Sequence, residues 1–185
     1  MKKIVEPVLF LLVLMLVAAI PSAVGAAPGL PDPAAKEIAK EVPNLTKQGE
    51  AVLRFFGLKV YDIRLWTQGA KYSYGEPFAL ELQYDIGLNG KDIAGRSVVE
   101  MRKQGYRDEV KLKHWGEMMT RIFPDIKQGD TLIGLSIPGK EIRFYSRDKL
   151  IALETDMEFS RAFFDIWLAE KTSEPKLRKR LLGLD

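Results

Sequence analysis

Between Ala51 and Ile86 the chain alternates, mostly with period two, between apolar and polar positions. Phe78, Leu80, Leu82, Tyr84 and Ile86 are interleaved with Ala79, Glu81, Gln83 and Asp85, the pattern of an antiparallel strand with one buried face. Gly57 separates two earlier strands, over residues 52–56 and 58–66. In the second, Tyr61, Ile63 and Leu65 share one face while Asp62 and Arg64 lie on the other. Gly69 and Gly75 bracket a hairpin loop that carries Tyr72 and Tyr74.

The middle third changes period. Residues 91–104 and 107–122 read as helices separated by Gly105, and Leu112, Trp115, Met119 and Ile122 recur at helical spacing. Phe123-Pro124-Asp125 stops the second helix. Strands resume over 131–137, 141–145 and 150–154, turning at Pro138-Gly139 and Arg147-Asp148. Thr155-Asp156-Met157-Glu158 has the form of a capping box ahead of the apolar stripe Phe159, Ala162, Phe163, Ile166 and Trp167. Pro175 opens a last helix over 176–182 that Gly183 closes, and a short helix or irregular piece is expected over 36–41. Strands, two helices, strands, two helices predict an α+β domain, an antiparallel sheet with helices gathered mainly on one face.

Composition narrows the chemistry without proposing any. The 185 residues are 46% hydrophobic and 29% charged, an ordinary globular balance. Lys and Arg total 28 against 25 Asp and Glu, and a net charge of +3 is too small to argue for nucleic acid. The absence of cysteine excludes disulfides, thiolate nucleophiles, iron–sulfur clusters and cysteine-ligated zinc. His114 is the sole histidine, so a multi-histidine metal site is excluded too. It follows Lys111 and Lys113 on a helix and reads as a solvated side chain. No Gly-x-Ser-x-Gly elbow and no Gly-rich phosphate loop occur, so neither a serine hydrolase nor a nucleotide cofactor is indicated.

The N-terminus reads as an address. Lys2 and Lys3 precede an unbroken apolar run from Val8 to Ile20, followed by small residues up to Ala26. The run is short for a bilayer-spanning helix, which needs about 20 residues. The expectation is an export signal over 1–26, cut after Ala26, and a periplasmic or secreted mature chain. A Pro-rich leader and short segment then occupy 27–48, and one domain 49–185.

Candidate chemistry is sparse. Arg64 and Arg96 each suit an internal ion pair, or the two-pronged anchoring of a bound carboxylate. Tyr61, Tyr84 and Tyr145 place hydroxyls at the edge of an apolar layer, where a pocket or an ordinary core edge is built from the same parts. Lys176, Arg178, Lys179 and Arg180 form a basic tail that reads as a solvated helix face or an anionic-lipid contact.

Several of these segments together resemble the chalcone isomerase-like family, and in particular its secreted bacterial branch. They are Gly57-Leu-Lys-Val-Tyr-Asp-Ile-Arg-Leu-Trp66, Ile93-Ala-Gly-Arg-Ser97 with Glu100-Met101, Phe123-Pro-Asp125, Gly129-Asp130, Glu158-Phe-Ser-Arg-Ala-Phe-Phe-Asp-Ile-Trp-Leu168 and Pro175-Lys-Leu-Arg-Lys-Arg-Leu-Leu-Gly183. The resemblance implies an open-faced β-sandwich, a long antiparallel sheet covered by helices with a cleft between them. In the family's plant enzymes an arginine upstream of the tyrosine-bearing strand binds the substrate's oxyanion, with a threonine in that strand, a tyrosine and an asparagine. Counting back places Gly49 near the arginine's position and Tyr61 near the threonine's, and no Arg precedes Arg54 in the expected mature chain. The isomerase reaction is therefore not implied. Other branches bind fatty acids, so the expectation is a non-catalytic protein holding a fatty acid or other apolar small molecule. Tyr61, Arg64, Tyr84 and Arg96 are its candidate ligand-binding residues. No cofactor, metal or nucleic acid is expected, and a protein partner stays open. Two competing readings are an isomerase or intramolecular lyase using Tyr61 with Arg64 or Arg96, and an envelope interaction module using the basic tail and the Tyr72–Tyr74 loop.

Overall fold

The computed structural model describes Leu30, residues 34–147 and residues 149–184; the expected export signal and most of the Pro-rich leader lie outside the described residues. Among the described residues, six strands form one sheet: β1 (Thr46–Phe55), β2 (Leu58–Thr67), β3 (Phe78–Tyr84), β4 (Thr131–Ile137), β5 (Glu141–Ser146) and β6 (Lys149–Glu154). They lie in sequence order, each antiparallel to its neighbour. Helix α1 (Ala35–Glu41) precedes the sheet, α2 (Gly90–Gln104) and α3 (Glu109–Ile122) join β3 to β4, and α4 (Met157–Leu168) and α5 (Pro175–Leu182) follow β6. The α+β architecture expected from the pattern is the one observed. Strand β1 starts earlier than the alternation indicates, because its first residues are polar and lie half-exposed on a sheet edge.

Antiparallel pairing keeps the period-two face intact across strands. Tyr61, Ile63 and Leu65 align with Tyr84, Leu82 and Leu80, and Leu80 aligns with Gly134. This face is buried under α4 and α5, with α2 against α4 and α3 against α2. Phe144, Phe159, Phe163 and Phe123 meet there in edge-on and tilted pairs. The opposite face carries a smaller core, in which Ile38 and Val42 at α1 pack with Trp66, Ala79, Ile133 and Leu135. Glu41 pairs with Arg143 at 2.8 Å and fixes α1 to β5. The chain is thus packed on the sheet from the end of the expected Pro-rich leader, where Leu30 and Ala34 already belong to this smaller core.

Two local details correct or explain sequence signals. Asp156, not Thr155, caps α4: its Oδ1 accepts from the N–H groups of Glu158 and Phe159 at 2.9 and 3.0 Å. Its Oδ2 accepts from the Trp115 indole at 2.9 Å, a second bond that a threonine hydroxyl one residue earlier does not make. Several of the segments carrying the family resemblance also serve the fold itself. Asp125 accepts from the Gly90 N–H at 3.0 Å, and a Cβ at Gly90 would collide with the Phe123 carbonyl oxygen, so the start of α2 seats directly on the end of α3. Asp130 accepts from the Lys127 N–H and takes Arg147 in a two-pronged ion pair.

Candidate functional site

Sheet and helices do not close completely over each other. Between β1–β5 and helices α2 and α4 lies a cavity of about 370 Å³, within the range of small-ligand sites. Leu53, Leu82, Leu132 and Phe144 form its apolar floor, and Ile93, Phe163, Ile166 and Trp167 its roof. An irregularity in the β1–β2 pairing shapes one wall. Leu53 pairs with Tyr61 and Arg54 with Lys59, leaving Val60 as an extra residue, so Val60 and Tyr61 both line the cavity.

Tyr61 and Tyr84 sit side by side in that wall, paired across β2 and β3, with ring centroids 5.5 Å apart and edge-on. The Tyr61 hydroxyl accepts from the Trp167 indole N–H at 3.0 Å, which ties the sheet to α4 and leaves its own proton available. Tyr84 is 3% exposed, and its hydroxyl makes no hydrogen bond to a described residue. Burial pushes both phenols well above the ordinary tyrosine range, Tyr84 further by its neighbour Tyr61. Both phenols therefore stay neutral at ordinary pH, with a proton to donate.

Charged groups gather where the cavity meets solvent. Arg96 reaches the lining from α2 but is largely exposed, and its Nη2 lies 2.6 Å from Glu100 Oε1. Burial alone would raise the Glu100 carboxyl; the Ser173 hydroxyl, Lys103 and Arg96 together hold it below its usual value. Arg54, exposed at the end of β1, donates to the Gly57 carbonyl at 3.2 Å and has no carboxylate within ion-pair distance among the described residues. Asp92 and Glu174 complete the rim.

Of the four sequence candidates, the structure brings Tyr61, Tyr84 and Arg96 to the cavity and leaves Arg64 outside it. Arg64 lies an odd number of positions from Tyr61 on the same strand and so points to the opposite sheet face. There its Nη1 pairs with Glu81 Oε1 at 2.9 Å, and Glu81 Oε2 accepts from the Trp66 indole at 2.8 Å. The ion-pair reading of Arg64 is the one realised. Gly49 is not at the cavity either: a Cβ there would collide with the Arg180 carbonyl oxygen, on the side where α5 crosses β1. An arginine of β1 nevertheless borders the cavity, Arg54, which counting along the chain passes over. The hairpin turning at Phe56 and Gly57, both at positive φ, is the available signal, because it sets Arg54 near Tyr61.

Of the two elements suggested for an interaction module, the loop is engaged within the fold, whereas most of the basic tail is exposed. Tyr72 and Tyr74 are half-buried, not displayed: Tyr74 donates to Asp165 at 2.5 Å, Arg161 stacks 3.7 Å above its ring, and both tyrosines meet Phe78 edge-on. On the tail, Arg178 is engaged with the Leu168 carbonyl while Lys176 and Lys179 are exposed. His114 is exposed on α3, away from the lining. A wider, more open groove of about 640 Å³ runs outside between α2 and α3, lined by exposed charged residues such as Lys91 and Lys113.

The family model for chalcone isomerase-like proteins matches residues 34–183, nearly all of the described chain. The chain belongs to the chalcone isomerase-like family. An uncharacterized protein of Haemophilus influenzae is 29% identical to it over 136 residues, which take in 73% of this chain and 66% of that relative's length. Among solved structures, a fatty-acid binding protein of Arabidopsis thaliana superposes with a TM-score of 0.58 at 14% identity, over 75% of this chain and 87% of that one. At that identity the likeness is one of fold: the chalcone isomerase-like sheet with its helical cover. Family membership extends from α1 to the end of α5, which agrees with α1 being packed onto the sheet.

Proposed function

We propose that this chalcone isomerase-like protein is an exported, non-catalytic carrier of a fatty acid or a similar chain with one polar end. The observation that carries the reading is the apolar cavity with the unmatched Tyr84 hydroxyl in its wall. That hydroxyl makes no hydrogen bond to a described residue and opens on the cavity, so a ligand oxygen there would find a donor. The apolar floor and roof supply affinity by burial, at about 0.8 kcal/mol per CH₂ group. Arg54 at the rim offers a guanidinium not committed to a carboxylate, and Tyr61 and Tyr84 offer neutral donors. The fatty-acid binding of the Arabidopsis protein with the same fold supports the reading. Neutral phenols and an exposed rim guanidinium suit holding a ligand's polar end, and neither tyrosine is poised to abstract a proton.

Native mass spectrometry of the full chain, gently purified, is expected to show a retained acyl ligand. In displacement titrations Arg54→Gln is expected to weaken a fatty acid about tenfold, since a charge-assisted hydrogen bond is worth about 1.5–3 kcal/mol and the rim is exposed. The same substitution should leave a fatty alcohol of equal length unaffected. A protein that is always empty and ignores both ligands would end the carrier reading. Export rests on residues 1–26; chain recovered from outside the cytoplasm should begin at Ala27.

A further inference from the structure

The β1–β2 hairpin presents an apolar tip that the core does not use. Phe56 is 95% exposed, Phe55 61% and Leu58 58%, and the two phenylalanine rings meet edge-on at 4.6 Å. Phe56 also sits at φ 47°, a left-handed backbone that a bulky side chain rarely adopts and that asparagine or glycine accepts. A turn needs no phenylalanine there, and a ring 95% exposed buries almost none of its surface in the fold.

The tip is continuous with the site already described: Phe55 and Arg54 line the cavity mouth, and Phe56 and Leu58 extend the same apolar strip outward. We propose that Phe55, Phe56 and Leu58 dock this hairpin on a phospholipid bilayer, opening the cavity mouth against the membrane. The proposal rests on the carrier reading for its purpose, since an acyl ligand is stored in a bilayer and is scarce in water. It rests on geometry for its place. The three side chains expose on the order of 400 Å², the size at which an apolar surface patch is commonly functional. Two such tips facing each other would bury about 800 Å² in all, less than the roughly 1,200 Å² a stable dimer needs, so a second copy is the poorer occupant. Arg54 beside the tip, free of carboxylate, faces the phosphate layer once the phenylalanines enter it.

The sequence has no cysteine, so a single introduced thiol labels one place. Phe56→Cys and, as control, Lys140→Cys in the β4–β5 turn at the far end of the sheet are each made in the full chain. Each is labelled with an environment-sensitive nitrobenzoxadiazole probe and mixed with phosphatidylcholine–phosphatidylglycerol vesicles. The probe at position 56 is expected to shift to the blue and be quenched by lipids carrying a quencher in the acyl region, while the probe at 140 does neither. The readout is local, so vesicle attachment through any other segment does not imitate it. An unshifted probe at 56, or equal shifts at both positions, overturns the proposal. So does a concentration-dependent shift at 56 without vesicles, which would assign the tip to a second copy. Displacement of a fluorescent fatty acid without vesicles reads the cavity separately, so failure of the carrier reading and failure of docking give different results.

Discussion

Two neighbouring phenols should respond to loss of one oxygen in opposite ways. Tyr84→Phe removes a hydroxyl that opens on the cavity from an otherwise buried side chain and makes no hydrogen bond to a described residue. A hydroxyl set among apolar side chains and paired only by cavity water is incompletely satisfied, so a gain of up to about 1 kcal/mol is expected. For a chain of this size that raises Tm by roughly 2–4 °C. Tyr61→Phe instead strips the acceptor from the Trp167 indole, whose N–H then lies buried and unpaired. The expected loss is about 2 kcal/mol, a fall in Tm of roughly 4–8 °C. Urea melts of the ligand-free chain should show the two midpoints moving apart with equal slopes, since neither substitution changes the surface exposed on unfolding. Fatty-acid affinity should drop in Tyr84→Phe despite its greater stability, because the donor toward the ligand is gone. A destabilised Tyr84→Phe with unchanged affinity would refute the assignment of that hydroxyl to the cavity.

Gly49→Ala would drive a Cβ into the Arg180 and Leu181 carbonyl oxygens of α5, so a loss of about 2–4 kcal/mol is expected in thermal melts. Arg64→Ala should cost about 2 kcal/mol by stripping a cation from the buried Glu81 carboxylate, yet leave fatty-acid titrations unchanged because Arg64 faces away from the cavity. Tyr61 and Tyr84 are raised in the folded state, so their contribution is fully present below the unfolded phenol value of about 10 and is lost as pH climbs beyond it. The stability curve should therefore fall on its alkaline side, and the double Phe variant should flatten that fall.

Much of the architecture is written in local pattern. The alternation from Phe78 marks β3 but runs on to Ile86, two residues past the strand's end at Tyr84, while Gly105, Pro124 and Gly183 mark helix ends, because period and breaker residues act over a few positions. Polar stretches are harder: the first half of β1 carries no alternation, and α1 declares its role only when Ile38 and Val42 meet Trp66 across the second face. The site is legible by face but not by occupancy. Parity alone puts Tyr61 and Tyr84 on the covered side, whereas Arg54 has no local mark and Arg64 carries the stronger signal for a ligand anchor that it does not form.

Local pattern and composition were enough for the element order, for the helix-covered face of β2 and β3, and for the absence of cysteine and multi-histidine chemistry. Each of these depends on neighbours in the chain or on a count. Strand pairing settled the commitment of Arg64, whose carboxylate comes from a neighbouring strand, whereas Arg96 pairs locally with Glu100 one helical turn on and Arg54 has only the turn carbonyl. Packing also left a gap between sheet and helices, because a void is set by how distant side chains fail to meet, and no single stretch of chain encodes that.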